Sequence, residues 1–343
     1  GGETPHALSY DDVRETIRWY PAGDPPPTGT FVPWRFERTR EGELGMDADL
    51  FGSRAGVELT WHRSLSRSLL LIDRSGYPRP IADQSGRSRT SGVEGRLFGQ
   101  ILERPGFRWD ASLALSARSQ HMLGPSIPLW SQPNFGVREQ PESGYPIGAL
   151  WVLPYSFADA NGDGIIAYEE LSLPNGIGGY VYRGPVDPTR EAALQSTLRL
   201  RRGVQLSALV DHRGGMWKVN ATGIQRCWYK ACRAAQDPAT PLDEQARAVL
   251  AMYGGGALGF VEDASFTKLR EVAVAFDAPA RWAAAVGAGS LRVTVAGRNL
   301  ATWSSYGGPD PEVGSGGTLF PGAIDEFTQP LPRYFTARLT ANW

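Results

Sequence analysis

"PRYFTARLTANW" (332–343) closes this chain of 343 residues and decides its fold class. Successive side chains of a β-strand point to opposite faces, so alternate positions share a face. One face of this stretch is apolar and the other is polar; the apolar positions are Phe335, Ala337, Leu339, Ala341 and Trp343. The pattern predicts an amphipathic strand that continues to the last residue and ends in an aromatic side chain.

The same period of two recurs along the chain. In "VELTWH" (57–62), for example, Val57, Leu59 and Trp61 alternate with polar residues. Such alternation predicts an antiparallel sheet with one apolar face. The predicted strands are 39–51, 54–66, 88–102, 107–119, 190–201, 203–213, 260–277, 289–302 and 333–343. Their polar faces carry Glu58, Glu94, Arg96, Gln195, Arg199, Asp211, Arg292 and Arg298.

The connections between these strands alternate in length. The tight ones are "FGSR" (51–54), "ERPGF" (103–107) and "RRG" (201–203). The long ones are 67–87, 119–189, 214–258 and 304–329. This rhythm is typical of outer-membrane β-barrels, because their turns are short on one side and their loops long on the other. A soluble sandwich with one solvated face would show the same alternation within its strands; the terminal strand favours the barrel.

Two stretches have helical periodicity and are interpreted as decorations of the loops. "SYDDVRETIRWY" (9–20) has Ser9 as a candidate N-cap, and "PLDEQARAVLAMYG" (241–254) has an acidic first turn. The stretch "TREAALQSTLRLRRG" (189–203) also admits a helix, but its tight turn and the alternation in 204–210 favour a hairpin.

Composition excludes several classes of protein. With 35 basic and 36 acidic residues, the chain has no basic excess for nucleic acid. No apolar run reaches the length of a membrane-spanning helix. The chain starts at Gly1 without an initiator Met or signal peptide, and we expect that its natural N-terminus lies upstream. Cys227 and Cys232 form a C-x4-C pair without a nearby His, which favours a local disulfide over a zinc site or two free thiols.

Residues 159–170, "DANGDGIIAYEE", have the spacing of an EF-hand calcium loop. The flanks contain Pro154, Pro174 and several glycines, so neither flank can form the helix that an EF-hand requires. The stretch therefore predicts a lone structural Ca²⁺ site that fastens a loop; the alternative is a tight turn without metal. The predicted metal ligands are Asp159, Asn161, Asp163, the carbonyl of Ile165, and Glu170.

An ordered set of motifs resembles the SusC/RagA family of TonB-linked outer-membrane proteins. "GFVEDASFTKLREVAVAFDAP" (259–279) looks like a late-strand signature of that family, and "LRVTVAGRNLATWSSYGGPDPEV" (291–313) like the segment that follows it. "QPLPRYFTARLTANW" (329–343) resembles the closing strand. Upstream, 37–51 resembles an early barrel hairpin and 145–170 a loop passage of the family. The resemblance covers most of residues 35–343.

The resemblance implies an all-β fold, the C-terminal part of a large antiparallel transmembrane β-barrel of 22 strands. The plug, the TonB-contacting box and the early barrel are outside this chain, so we expect a fragment with a curved open sheet and exposed edges. Phe335, Leu339 and Trp343 would form the C-terminal signal for the barrel-assembly machinery.

The implied function is TonB-dependent import of a bulky nutrient, an oligosaccharide or a peptide, across the outer membrane of a Gram-negative bacterium. The implied partners are a SusD-like surface lipoprotein, the TonB system and outer-membrane lipid. Loop aromatics would stack on sugar rings or pack on the lid, or else pack within their own loops or in the lipid interface; they are Trp217, Trp228, Tyr229 and Trp303.

Two other functions compete with transport. A secreted, calcium-stabilised binding or adhesion module would explain the loop 159–170 and the cysteine pair, but it leaves the terminal strand unexplained. An enzyme would need a distinctive catalytic constellation, and neither the acidic residues nor the four scattered histidines provide one in the sequence. We therefore expect a protein that is not an enzyme.

Overall fold

The structure is a computed structural model that describes residues 6–11, 16–21, 36–73, 81–124, 131–132, 136–139, 141–173, 179–253, 256–314 and 323–343. One antiparallel sheet of nine strands dominates it. Its strands are β1 (Arg38–Leu50), β2 (Ala55–Asp73), β3 (Ile81–Arg104), β4 (Phe107–Met122), β5 (Arg190–Leu200), β6 (Val204–Gly214), β7 (Phe266–Asp277), β8 (Ser290–Ser304) and β9 (Tyr334–Asn342).

The nine strands lie side by side in chain order, from β1 at one edge to β9 at the other. Each corresponds to one of the nine predicted strands, which confirms the all-β fold class. Within the described residues β1 pairs only with β2, and β9 only with β8, so the sheet is open, as expected. The predicted long connection 67–87 is mostly strand, because β2 and β3 continue to pair as far as Asp73 and Ile81.

Cross-strand register gathers the apolar residues on one face of the whole sheet. Leu44 lies opposite Trp61 at one edge, and Val293 lies opposite Leu339 at the other. Between them the same face continues through pairs such as Leu113 with Leu194, Leu198 with Leu206, and Val274 with Val295. We call this the apolar face and the opposite one the polar face. Many large side chains on the apolar face are exposed.

The long connections contain short elements of their own. The helices are α1 (Ala221–Trp228), α2 (Leu242–Met252) and α3 (Ala280–Ala285), with 3-10 turns at Tyr168–Glu170, Arg201–Gly203 and Arg233–Ala235. Strands Ser131–Gln132, Val137–Glu139, Ala149–Val152 and Val181–Pro185 form a small sheet, and Ser156–Phe157 pairs with Leu171–Ser172 and Trp217–Val219 with Val261–Asp263. The helix predicted at 241–254 is confirmed by α2. None of the helices in the described ranges has the length and apolar character needed to span a membrane.

The helix predicted over 9–20 is wrong. Strands His6–Asp11 and Thr16–Pro21 form an antiparallel hairpin there, with His6 opposite Pro21 and Asp11 opposite Thr16. The second strand, "TIRWYP", contains β-branched and aromatic residues that favour strands. Pairing with a neighbouring segment overrode the local helical period, and residues 12–15 lie outside the described part.

The short connections all lie at one end of the sheet and the long ones at the other. The turns at 51–54, 105–106 and 201–203 are tight, and the fourth connection on this side, 278–289, contains α3. Gly203 has φ of 75°, and a Cβ there would lie 2.6 Å from the carbonyl oxygen of Asp277. This turn therefore requires glycine for both its backbone conformation and its close approach to β7.

The main hydrophobic core lies in the long connections and not on the sheet. We call the connections 123–189, 215–265 and 305–333 the loop layer. Its core joins residues from all three: Val137, Leu150, Val186, Val219, Ile224, Cys227, Ala248, Ala251, Ala257, Phe260, Val261 and Ala323. The loops thus form a folded body of their own at one end of the sheet.

Candidate functional site

The polar face carries oppositely charged side chains on neighbouring strands. A guanidinium nitrogen of Arg96 lies 3.6 Å from Glu58, and one of Arg298 lies 2.6 Å from Glu271. Arg199 also pairs with Asp110 across β5 and β4. All eight residues predicted on the polar faces lie on this side of the sheet by their register. Apart from Asp211, these eight side chains are exposed or half-exposed, so they make a hydrated surface more than a source of stability.

A cluster of buried and half-buried charges lies on the polar face where the sheet meets the loop layer. We call it the ion cluster: Asp211, Lys268, Arg270, Asp310 and Glu312. Lys268 Nζ donates to Asp310 and to Glu312, both at 2.8 Å. Arg270 binds Asp211 and Glu312 at 2.7 Å each. The cluster thereby ties the connection after β8 to strands β6 and β7.

A β-bulge in β7 makes the ion cluster possible. Leu269 pairs with Val210, but the next pair is Glu271 with Leu209, so Arg270 is an extra residue in the ladder. The extra residue lets Arg270 reach Asp211 on the polar face, beside Lys268. Sequence reasoning missed this cluster because strict alternation was assumed throughout 260–277. The available signal was the acidic "DPE" (310–312) shortly after the basic "KLR" (268–270).

Neighbouring cations favour the charged form of Glu312. Burial alone would raise the pKa of Glu312, but hydrogen bonds from Arg270 and Lys268 lower it to about 2. Lys218, in the loop layer, donates to the carbonyl oxygens of Pro311 and Val313 at 2.6 Å each. Burial lowers the pKa of Lys218 to about 8. The charged groups of the ion cluster bind one another, and Lys218 binds the backbone on either side of Glu312. The arrangement therefore positions the connection after β8.

The calcium-type loop is held by hydrogen bonds to its own acidic side chains. Asp159 accepts from the backbone N–H groups of Gly162 and Gly164 at 2.8 and 3.0 Å. Glu170 accepts from those of Ala160 and Ala167 at 2.8 and 3.0 Å. Bonds of this kind hold a tight turn.

A metal at this loop stays a prediction. In the part of the chain that the structure describes, no group of three or more His, Cys, Asp or Glu side chains is arranged to hold a metal ion. The loop also docks on α2: the Gln245 side chain accepts from the N–H of Ile166 at 3.0 Å and donates to the carbonyl of Gly164 at 3.1 Å. Two hydrogen bonds therefore fasten the calcium-type loop to α2, within the loop layer.

The two cysteines form a disulfide with their Cα atoms 4.8 Å apart. This separation is within the range that a bridge requires, and well inside the 7 Å limit for one. Cys227 is buried on α1 and belongs to the core of the loop layer. The bridge thus ties the end of α1 to the chain that follows it.

The four aromatics that sequence analysis singled out have different surroundings. Trp217 packs within the loop layer, with the guanidinium of Arg183 4.5 Å from its ring centre. Trp228 and Tyr229 are exposed at the end of α1, where a ligand or partner can reach them. Trp303 is exposed on the apolar face near the loop layer, which fits a lipid interface. The three residues of the predicted assembly signal, Phe335, Leu339 and Trp343, are exposed at every fourth position at the end of the chain.

The chain is similar in sequence to a TonB-dependent receptor and in structure to the RagAB peptide transporter. No family model matches it. TonB-dependent receptor P3 of Formosa agariphila is 20% identical over 332 residues, which covers 81% of this chain and 31% of the relative. The structure of the RagAB peptide transporter superposes with a TM-score of 0.70 at 17% identity, covering 98% of this chain and 38% of that one. The RagAB peptide importer in its open-open state gives a TM-score of 0.67 with 99% and 38% coverage, also at 17% identity.

These similarities confirm the resemblance to the SusC/RagA type and the partial-barrel fold. The chain spans about a third of the length of the proteins that it matches. At this level of identity the likeness shows the fold, and the nine-stranded open sheet corresponds to part of a larger barrel wall.

Proposed function

We propose that this chain, which has the fold of part of a RagA-type barrel, forms wall and external loops of a TonB-dependent outer-membrane importer. The observation that carries the proposal is the apolar face, which continues across all nine strands while the opposite face is charged. A barrel wall needs this arrangement, because lipid covers one side and a hydrated lumen lies on the other.

The proposed cargo is a bulky nutrient, an oligosaccharide or a peptide. The RagAB structures are described as those of a peptide transporter, which favours peptides. In this proposal a SusD-like lipoprotein covers the loop layer, and Trp228 and Tyr229 are available for contact with it or with cargo. The TonB system would act through parts of the protein outside this chain, and the barrel-assembly machinery would read the β9 end.

Uptake by cells tests this proposal directly. A strain that lacks the full-length gene should fail to accumulate a labelled oligosaccharide or peptide that the parent strain imports, and the intact gene should restore uptake. Restoration should fail in a strain without TonB. Loss of oligosaccharide uptake alone, or of peptide uptake alone, would identify the class of cargo; unchanged uptake of both would contradict import.

The competing module, secreted and stabilised by calcium, makes a different prediction about solubility. It would remain in solution without detergent, whereas a barrel wall would be recovered from outer-membrane fractions and would require detergent. Fractionation of cells that express the full-length protein therefore separates the two functions before any substrate is known.

A further inference from the structure

We propose that six arginines on the lipid-facing side of β1, β2 and β3 bind the phosphate groups of lipid headgroups in the outer leaflet. We call them the arginine patch: Arg38, Arg40, Arg63, Arg67, Arg87 and Arg89. The inference rests on the proposed function, because it requires that the apolar face lies against lipid.

Strand register places all six arginines on the same side as the apolar face. The row formed by Leu44, Trp61 and Val93 is apolar. Positions two, four and six residues further towards the loops point the same way. They hold the arginine patch: Arg63 in the first row, Arg40 and Arg89 in the second, and Arg38, Arg67 and Arg87 in the third.

The third row of the arginine patch lies where the hydrocarbon core of a membrane would end. Arg67 lies twelve positions along β2 from Ala55, which is beside a short turn. At roughly 3.3 Å per residue and a tilt of about 40°, this span rises about 30 Å, which is about the thickness of the hydrocarbon core. The third row therefore lies at the height of the headgroups on the side of the loop layer. The first row lies four residues, or about 10 Å, below it, and the long arginine side chains of the first two rows extend along apolar surface towards the headgroups.

Acidic residues do not balance this charge. The lipid-facing positions of 38–50, 55–67, 87–99 and 107–121 contain no Asp or Glu, whereas Glu41, Glu43 and Glu58 point to the polar face. Among the residues that the structure describes, none of the six arginines forms an ion pair. On the same strands Arg96 and Arg118, which point to the polar face, pair with Glu58 and Asp187.

The third row needs a bound anion most, because all three of its residues are arginines. Arg38 lies directly opposite Arg67, and Arg67 lies directly opposite Arg87. Like charges at such positions repel, since Cβ atoms of directly paired residues are only about 5 Å apart. A phosphate between them would relieve the repulsion, and the planar guanidinium matches two phosphate oxygens at once.

A lipid fits this surface better than free phosphate does. Leu65 lies between Arg40 and Arg89 in the same row, and Trp61 lies in the apolar row beneath them. A ligand with a phosphate head and acyl chains would contact both kinds of side chain. In the outer leaflet of a Gram-negative outer membrane that ligand is a phosphorylated saccharolipid, lipid A.

The test measures binding of lipid A to the full-length protein purified in detergent from outer-membrane fractions. The variant is Arg67→Gln/Arg87→Gln/Arg89→Gln, and the matched control is Arg104→Gln/Arg201→Gln/Arg202→Gln. The control removes the same charge from exposed arginines near the short turns, at the opposite end of the apolar face. We expect binding to weaken about tenfold or more in the patch variant, because several charge-assisted hydrogen bonds are lost, and to stay unchanged in the control.

Lipid A without its phosphates should bind the unaltered protein about as weakly as phosphorylated lipid A binds the patch variant. Equal binding by the patch variant and the unaltered protein would overturn the proposal. Competition by inorganic phosphate alone at the same concentration as lipid A would also overturn it, as would binding of dephosphorylated lipid A as tight as that of the phosphorylated form. Absence of the protein from outer-membrane fractions would instead refute the proposed function, so the two failures are distinguishable.

Discussion

Apolar side chains are exposed on the sheet and buried in the loop layer. On the sheet Leu44 and Phe335 are 70% and 71% exposed, whereas Leu150 and Leu250 in the loop layer are fully buried. Soluble proteins rarely present so continuous an apolar surface to water. This difference supports the proposed function, in which the loop layer folds in water around its own core and the apolar face of the sheet lies against lipid.

The ion cluster joins these two regions, and breaking it should have the largest effect. Lys268→Gln would leave Asp310 and part of Glu312 without their buried cation, at a cost of about 3–5 kcal/mol. Unfolding of the loop layer by denaturant, followed by tryptophan fluorescence, would measure it. Arg233→Gln is the control, because it breaks an exposed ion pair with Asp237 and should cost less than about 1 kcal/mol. Equal effects of the two substitutions would contradict a buried, structural cluster.

Two neighbouring residues on β4 point to opposite faces of the sheet, so substitutions there compare the two faces. Leu115 points to the apolar face and Ala114 to the polar face. Leu115→Arg should destabilise the protein in lipid vesicles by about 2–4 kcal/mol, since a charge near the centre of the bilayer is poorly solvated. Ala114→Arg, which adds the same charge on a hydrated face, should have a much smaller effect. The free energy of unfolding in vesicles would distinguish them, and equal losses would refute a lipid-facing surface.

Acid should loosen the junction between sheet and loop layer. The folded pKa of Glu312 is about 2, below its ordinary value, so this group stabilises the fold fully above its unfolded pKa. That stability is lost as the pH falls from about 4.5 towards about 2. Proteolysis of the connection 305–333 across this range should show increasing cleavage. The variant Glu312→Gln should lose most of this pH dependence; an unchanged profile would assign the acid sensitivity to another group.

Calcium should have the smallest effect and should be confined to the loop layer. If Asp159, Asp163 and Glu170 hold Ca²⁺, millimolar calcium would protect the segment 159–170 from proteolysis, and Asp159→Ala would abolish that protection. The sheet should be unaffected in both proteins. Titration of the intact protein without any binding at millimolar calcium would establish the metal-free turn.

Sequence alone predicted the sheet well because its information is local. Each strand carries its own period of two, so nine strands and their faces were evident without knowledge of any long-range contact. The hairpin at 6–21 was mistaken for a helix because its strand character depends on pairing between two segments. The prediction failed where structure depends on a partner that local periodicity does not reveal.

The loop layer and the ion cluster were less predictable for the same reason. The core of the loop layer joins Leu150, Ile224 and Phe260, which are far apart in the chain and have no shared period. Arg270 reaches the ion cluster through a bulge, which strict alternation cannot reveal. The disulfide was predictable because Cys227 and Cys232 are separated by only four residues and are the only cysteines.

Accessibility along β4 tests the central claim most directly. Single cysteines at positions 113–117 of the full-length protein in vesicles would each carry a spin label, with Cys227 and Cys232 already bridged. Labels at 113, 115 and 117 should collide mainly with oxygen, which concentrates in lipid, and labels at 114 and 116 mainly with a water-soluble nickel complex. This alternation with a period of two is the predicted result. Uniform access of the nickel complex to all five positions would contradict a sheet that separates lipid from a hydrated lumen.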